Sequence, residues 1–202
     1  MNHPVDDDKL LERIRKDEPG AFEQFVDRFG DRIYGFGLRV CGEREDARDV
    51  FQETLLQAYQ KLGNLKHPKA LKSWLYRVAS NACLMKRRKG RYEPTKELSL
   101  DELMAKAQGP AVEIPDPGEL PDEQASQGQL RRLLREAIAE LPTHYRLVLI
   151  LRDMEQLSTR EVAEALDLAE TAVKMRLHRA RLMVRESMRR ALAEEGKGGG
   201  ES

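Results

Sequence analysis

Between Glu93 and Ser126 the chain carries Pro94, Pro110, Pro115, Pro117 and Pro121, together with Gly109 and Gly118 and a run of acids. Each proline removes a backbone donor and clashes with the preceding helical turn, and this composition buries too little apolar surface to repay ordering. The segment reads as a flexible linker, with at most a helical turn or two over Leu98 to Met104. A chain of 202 residues interrupted in this way cannot form one continuous core. It must fold as two small pieces, one on either side.

Both pieces show helical periodicity. Phe22, Phe25, Val26, Phe29, Ile33 and Phe36 form one apolar stripe. Ala47, Val50, Phe51, Leu55, Ala58 and Leu62 form a second, and Leu71, Trp74, Leu75, Val78, Ala82 and Met85 a third. With a short leading helix from Asp8 to Lys16, these stripes can bury one another as a bundle. Trp74 lies within its stripe and is read as core rather than as a stacking platform. After the linker the pattern returns with Leu130, Leu133, Leu134, Ala137, Ile138 and Leu141, is stopped by Pro142, and resumes over Tyr145 to Arg152. No strand pattern or internal repeat is evident. The expected fold is all-α: a helical bundle over 8–92, an acidic linker over 93–126, a second bundle over 127–192, and a disordered glycine-rich tail over 193–202.

Net charge is zero, so no global attraction to nucleic acid follows. The distribution says more. From Lys61 to Tyr92 there are ten Lys and Arg and no acid, whereas Glu93 to Gln127 holds nine acids against Lys96 and Lys106. Ten uncompensated cations form an electrostatic footprint for a phosphate backbone. Two cysteines, Cys41 and Cys83, and the lack of an N-terminal apolar run predict a reduced cytoplasmic setting without a structural disulfide. The longest apolar run, Leu147 to Leu151, falls far short of the roughly 20 residues of a membrane helix, so no membrane insertion is expected.

The stretch Leu157 to Arg185 reads as two helices about a three-residue turn, Asp167 to Ala169. Ser158 and Glu161 have the spacing of a capping box, in which each side chain satisfies an orphaned backbone donor of the helix start. Val162, Ala163 and Leu166 give the first helix an apolar face, and Val173, Leu177, Ala180 and Val184 do the same for the second. Thr171, Lys174, Met175 and His178 point away from that face. A helix fits the major groove with side chains near its N-terminus on base edges and Arg and Lys on phosphates, so Thr171 to Arg179 are candidate readers. An ordinary helical hairpin with a solvated basic face has the same pattern.

Four motifs decide between these. Asp46 to Tyr59 (DARDVFQETLLQAY), Lys72 to Lys89 (KSWLYRVASNACLMKRRK), Leu141 to Leu166 (LPTHYRLVLILRDMEQLSTREVAEAL) and Ala172 to Arg181 (AVKMRLHRAR) resemble, in this order, the extracytoplasmic-function sigma factors of bacterial RNA polymerase, which keep only sigma domains two and four. The resemblance spans about Asp8 to Arg190. It implies an alternative sigma factor that binds polymerase core, through the beta-prime clamp helices and the beta subunit, and directs promoter recognition and opening.

Taken residue by residue, the resemblance makes the polar face of the second helix, with Asp46, Asp49, Gln52 and Glu53, the core-binding surface. By itself that face reads as merely solvated. The minus-ten element would be held as unstacked single strand by the loop Asn64 to Lys72, including Asn64, Lys66, His67 and Lys72, and by Arg77, Asn81, Lys86, Arg87 and Arg88 on the next helix. Duplex DNA at the minus-thirty-five element would meet Glu170, Thr171, Lys174, Met175, His178 and Arg179. The two elements lie about two duplex turns apart, on the order of 70 Å, and the linker is long enough to bridge them. Its acidity suits a solvated spacer, or, by resemblance, a segment that threads a basic polymerase channel in the manner of RNA. An anti-sigma protein is a further partner that the resemblance admits.

The chain departs from the family in its turn and reading helix. Asp167, Ala169 and Ala172 stand where Gly, Ser and Thr are frequent, and Met175 replaces a small polar residue, so base preference should differ. His3, His67, His144 and His178 are scattered, and no phosphate loop or paired-cysteine motif occurs, so neither a catalytic constellation, a metal nor a cofactor is expected. Two alternatives carry different expectations. An autonomous helix-turn-helix regulator would bind a two-fold site as a dimer without polymerase. A helical interaction protein would pair its basic and acidic segments with each other.

Overall fold

A computed structural model describes residues 4–65, 70–89 and 123–198, with side chains over 7–65, 70–86 and 128–194. Lys66, His67, the linker over 93–122 and the end of the tail lie outside the described residues. Every regular element among those described is helical. The helices are α1 (Pro4–Arg15), α2 (Ala21–Cys41), α3 (Arg44–Lys61), α4 (Leu71–Lys89), α5 (Glu123–Glu140), α6 (Thr143–Leu149), α7 (Thr159–Leu166) and α8 (Glu170–Gly198). A 3-10 turn spans Leu62–Asn64 and a π turn spans Ile150–Met154. The tail pattern is thus continued as helix to Gly198, and α5 begins at Glu123, inside the segment whose composition reads as linker.

Contacts divide the described residues into two units, one drawn from 1–92 and 150–173, the other from 93–149 and 174–202. In the first, the three stripes meet as expected. Phe25, Phe29 and Ile33 of α2, Ala58 of α3, Leu62, and Leu71 and Leu75 of α4 share a core to which α1 adds Leu10 and Leu11. Trp74 packs against this core, partly buried. Segment 150–173, which the sequence pattern groups with the C-terminal helices, makes its contacts here: α7 packs on α4, and Leu157, Val162 and Ala163 are buried. Met85, expected in the third stripe, is 58 % exposed, because the last turns of α4 run past the core.

One glycine within α2 and one that caps it have definite work. Gly42, at φ 86°, ends the helix in the left-handed conformation and donates its N–H to Leu38 O at 2.9 Å. At Gly37 a β-carbon would meet the Cα and carbonyl oxygen of Ala47 at 3.3 Å, so α2 and α3 cross backbone against side-chain-free backbone. Neither of those atoms can rotate away. Gly37→Ala is expected to lower stability by about 1–3 kcal/mol through separation of the two helices, read as the shift in a chemical denaturation midpoint.

In the second unit Pro142 follows the end of α5, and its carbonyl accepts the N–H groups of Tyr145 and Arg146 at 3.0 Å. Arg146 is 3 % exposed, and its guanidinium donates to the carbonyl of Leu141 at 2.7 Å and to that of Ala139. It thereby satisfies the orphaned carbonyls at the end of α5. Ser187 of α8 donates to Glu140 of α5 at 2.6 Å.

Candidate nucleic-acid interface

Along α3 the period of 3.6 residues turns Ala47, Val50, Thr54 and Ala58 inward and leaves an acidic and amide face outside. Gln52 and Glu53 are exposed, Asp46 and Asp49 half-buried. Gln57 donates to Glu53 at 2.7 Å and is itself reached by Lys61 at 3.2 Å, which fixes the carboxylate's orientation. Beside this face lies a groove of about 470 Å³ between α3 and α4, lined by Asp49, Gln52, Glu53, Leu56, Ala82 and Met85 among others. Leu56 is 53 % exposed and Met85 58 %. The groove therefore joins an acidic rim to an apolar floor.

Sequence reasoning found the rim and missed the floor. Leu56 falls off the α3 stripe, and Met85 fits the α4 stripe too well to look exposed. Large apolar side chains that neither stripe can bury are the signal that would have found them.

On α4, Arg77 and Asn81 are exposed and four residues apart, so they share one face. Lys86 reaches across to form an ion pair with Asp49 of α3. That hydrogen bond, with Asp46 and Glu45 nearby, holds the ammonium above the ordinary lysine range. A predicted polymerase contact and a predicted DNA contact thus neutralise each other. Both partners are partly exposed, so Lys86 can exchange Asp49 for a phosphate at modest cost. Asn64 is exposed at the end of its 3-10 turn. Lys72 is half-buried and donates to the Glu155 carbonyl at 2.7 Å, so it does not join the open face of Arg77 and Asn81. Arg87 and Arg88 lie on α4, but their side chains are outside the described residues.

The capping box at the start of α7 is present in both halves: Glu161 N–H donates to Ser158 Oγ at 3.2 Å, and Ser158 N–H to Glu161 Oε2 at 2.7 Å. Asp167 ends α7 at φ 54° and ψ 53°, the left-handed turn position at which the sequence lacks glycine. Aspartate is among the few side chains that tolerate this conformation. Asp167→Val should cost about 1–2 kcal/mol, since a β-branched side chain there clashes with its own backbone, while Asp167→Gly stays within about 0.5 kcal/mol of the parent. Thermal unfolding followed by circular dichroism reads both. On α8, Glu170, Thr171, Lys174, Met175 and His178 are all exposed. Arg179 differs: it is half-buried and donates to the Tyr145 hydroxyl at 3.4 Å.

Among the described residues no group of three His, Cys, Asp or Glu is placed to hold a metal ion, and no helix is long and apolar enough to cross a membrane. Cys41 and Cys83 are buried with their sulfur atoms 3.4 Å apart.

Comparisons with known proteins bear on this arrangement. Residues 25–92 match the family model of sigma-70 region 2, and residues 131–184 that of sigma-70 region 4. The chain is 30% identical to the ECF RNA polymerase sigma factor SigW of Bacillus subtilis, over 90% of its own length and 96% of that protein's. It is 29% identical to the RNA polymerase sigma-H factor of Pseudomonas aeruginosa, over 93% and 96% of the two lengths. Two solved structures share the fold. CnrH, in complex with the cytosolic domain of CnrY, superposes with a TM-score of 0.61 at 23% identity, covering 94% of this chain and 97% of that one. RpoE of Bartonella quintana, in complex with the anti-sigma factor NepR, gives 0.58 at 19%, covering 84% and 98%. With the two region models in the expected order on a helical scaffold that carries the helix-turn-helix, the chain belongs to the extracytoplasmic-function sigma factors of the sigma-70 family.

Proposed function

We propose that this chain is the promoter-specificity subunit of a bacterial RNA polymerase: it binds the core enzyme, recognises two promoter elements and opens the duplex. It performs no chemistry of its own and directs RNA synthesis by the core, in the cytoplasm. The observation that carries the reading is the groove between α3 and α4, where an acidic rim and an exposed apolar floor meet on a region 2 helix pair. An acidic rim suits a basic partner helix and speeds encounter, while exposed Leu and Met supply the buried area that makes a contact last.

On this reading residues 8–92 act as sigma domain two, 93–126 as the tether, 127–192 as sigma domain four, and 193–202 as a tail. Asp46, Asp49, Gln52 and Glu53 engage the beta-prime clamp helices, and Leu56 and Met85 are added to that surface. Asn64, Lys66, His67, Lys72, Arg77, Asn81, Lys86, Arg87 and Arg88 hold the minus-ten strand. Glu170, Thr171, Lys174, Met175 and His178 read the minus-thirty-five duplex. Arg179 supports that helix through Tyr145 and reaches a phosphate only on release from it. An anti-sigma protein is a further partner, since both solved relatives are bound to a second protein, RpoE to the anti-sigma factor NepR.

Run-off transcription by purified bacterial core polymerase on a fragmented genomic library, with and without this chain, tests the reading. New start sites that share two upstream motifs are expected. DNA binding without core enzyme, and no new starts, would instead favour the free-standing regulator.

A further inference from the structure

Cys41 and Cys83 are the only two cysteines of the chain, 42 positions apart, and the fold brings them together. Cys41 is the last residue of α2, and Cys83 lies in the second half of α4. The Cys41 thiol donates to the Cys83 sulfur across 3.4 Å, and neither residue is in a disulfide. Since a disulfide holds its sulfur atoms about 2.05 Å apart, the gap left to close is about 1.4 Å. Small rotations of the two side chains close it while the helix backbones stay in place. The same two helices are pinned by Phe36 and Tyr76, edge to face with ring centroids 5.2 Å apart, and Val40 is fully buried beside Cys41. Held in this way, each thiol presents a high effective concentration to the other. The two differ in access. Cys41 is 6 % exposed and is followed directly by the exposed Gly42 and Glu43, whereas Cys83 is fully buried. A small oxidant therefore meets Cys41 first.

We propose that Cys41 and Cys83 are a reversible dithiol/disulfide couple, oxidised by peroxide, that staples α2 to α4. The Cys41 thiol gives up its proton and its sulfur attacks one peroxide oxygen; the O–O bond breaks, and the departing hydroxide takes up that proton. Cys41 is left as a sulfenic acid, with one water released. The Cys83 sulfur then attacks the sulfenic sulfur, the S–O bond breaks, and the hydroxide leaves with the Cys83 proton as a second water. Two thiols have lost two electrons to the peroxide. A dithiol reductant reverses the step by thiol exchange. Because Cys41 ends its helix, where the macrodipole disfavours a thiolate, the couple answers sustained oxidant rather than a brief pulse. A transient disulfide of this kind agrees with the expectation that neither cysteine serves in a structural one. The cross-link encloses the whole of α3 in a covalent loop anchored on the bundle, and constraining that loop in the unfolded chain stabilises the folded one. Ala82, next to Cys83, lines the groove between α3 and α4, so the staple fastens its floor as well. On the sigma reading the oxidised chain keeps its core-binding surface folded, but the couple itself does not depend on that reading.

Intact-mass measurement on the full chain, first reduced and then treated with hydrogen peroxide, tests the couple. The expected product is a monomer lighter by about 2 Da, the two thiol hydrogens, with one pair of peptides linked through Cys41 and Cys83 after digestion. With no third cysteine, no other intramolecular pairing exists. Trp74 packs on the bundle, and the urea midpoint read by its fluorescence is expected to rise by about 1–2 M on oxidation and to return on reduction. Cys83→Ala is expected to stop at a Cys41 that carries added oxygen, with no rise in midpoint. An unchanged parent mass, a disulfide-linked dimer in place of the monomer, a link that forms only in chain already unfolded by urea, or an unmoved midpoint overturns the couple. These readings are made on the parent chain, so they stand even where Cys83→Ala fails to fold. They need no polymerase, so failure of the couple is separate from failure of the sigma reading, which shows as no core-dependent transcription by the reduced chain.

Discussion

Leu56→Asp is expected to weaken binding to core polymerase about 30- to 100-fold while leaving the fold intact. The side chain is half exposed in the free chain, so its replacement should change stability by no more than about 0.5 kcal/mol. On the proposed docking of core enzyme at this groove, which Asp49, Glu53 and Met85 also line, the same position loses its solvent. Burying a new carboxylate there, without a partner and beside two others, forfeits apolar area and adds repulsion, a loss of about 2–3 kcal/mol at a central contact. Glu53→Lys offers the contrast. As a rim charge it should lower the association rate and flatten its salt dependence, with dissociation little changed. Surface plasmon resonance on immobilised core enzyme at two salt concentrations separates the two. Equal effects of both variants on the dissociation rate would show that the apolar floor is not the anchor.

Phe25→Ala should remove about 3–5 kcal/mol, the largest stability loss of any single substitution considered for this chain. Phe25 is fully buried, with ring centroids 5.6 Å from Phe22 and 5.0 Å from Phe29, and it sits in the core where α1, α2 and α4 meet. Truncation loses the transfer free energy of the ring and leaves a void that three helices cannot collapse to fill. Against a typical total of about 5–15 kcal/mol this is a large fraction. The single tryptophan, Trp74, packs on the same core, so its fluorescence in guanidinium chloride reports this unit alone. A midpoint shift corresponding to less than about 1.5 kcal/mol would mean that the site relaxes and that the core is less close-packed than the ring contacts indicate.

Local and periodic features were legible in the chain itself. The stripes on α2 and α3, the stop at Pro142, the capping box of Ser158 and Glu161 and the turn over Asp167 to Ala169 all rest on interactions between residues a few positions apart, and each is where its spacing puts it. The candidate site was legible in its charges. Acids on one face of α3, the acid-free run from Lys61 to Tyr92 and exposed polar residues on α8 mark surfaces that no core can absorb. The comparisons bear out the family that four motifs suggested.

Periodicity stops being informative where a helix outruns its partner. It cannot tell a stripe's last residue from its first, which is why Met85 reads as core and is exposed. Glycine in a tail reads as a breaker, yet α8 continues to Gly198, since a helix already nucleated extends for little further cost. Glu155 has no signal at all in the sequence. Its donors, Arg39, Lys72 and Tyr76, lie 116, 83 and 79 positions away.

The sequence by itself determined the helices, their caps and the sign of charge on each face, because these depend on side-chain chemistry and short-range spacing, whereas the packing of 150–173 with the N-terminal helices was decided by tertiary contacts. Tertiary structure alone decided which apolar residues remain uncovered in the groove and which distant donors close on one buried carboxylate. Those outcomes depend on where helices end relative to one another and on which charges burial forces into pairs, and neither quantity is written in the order of residues along the chain.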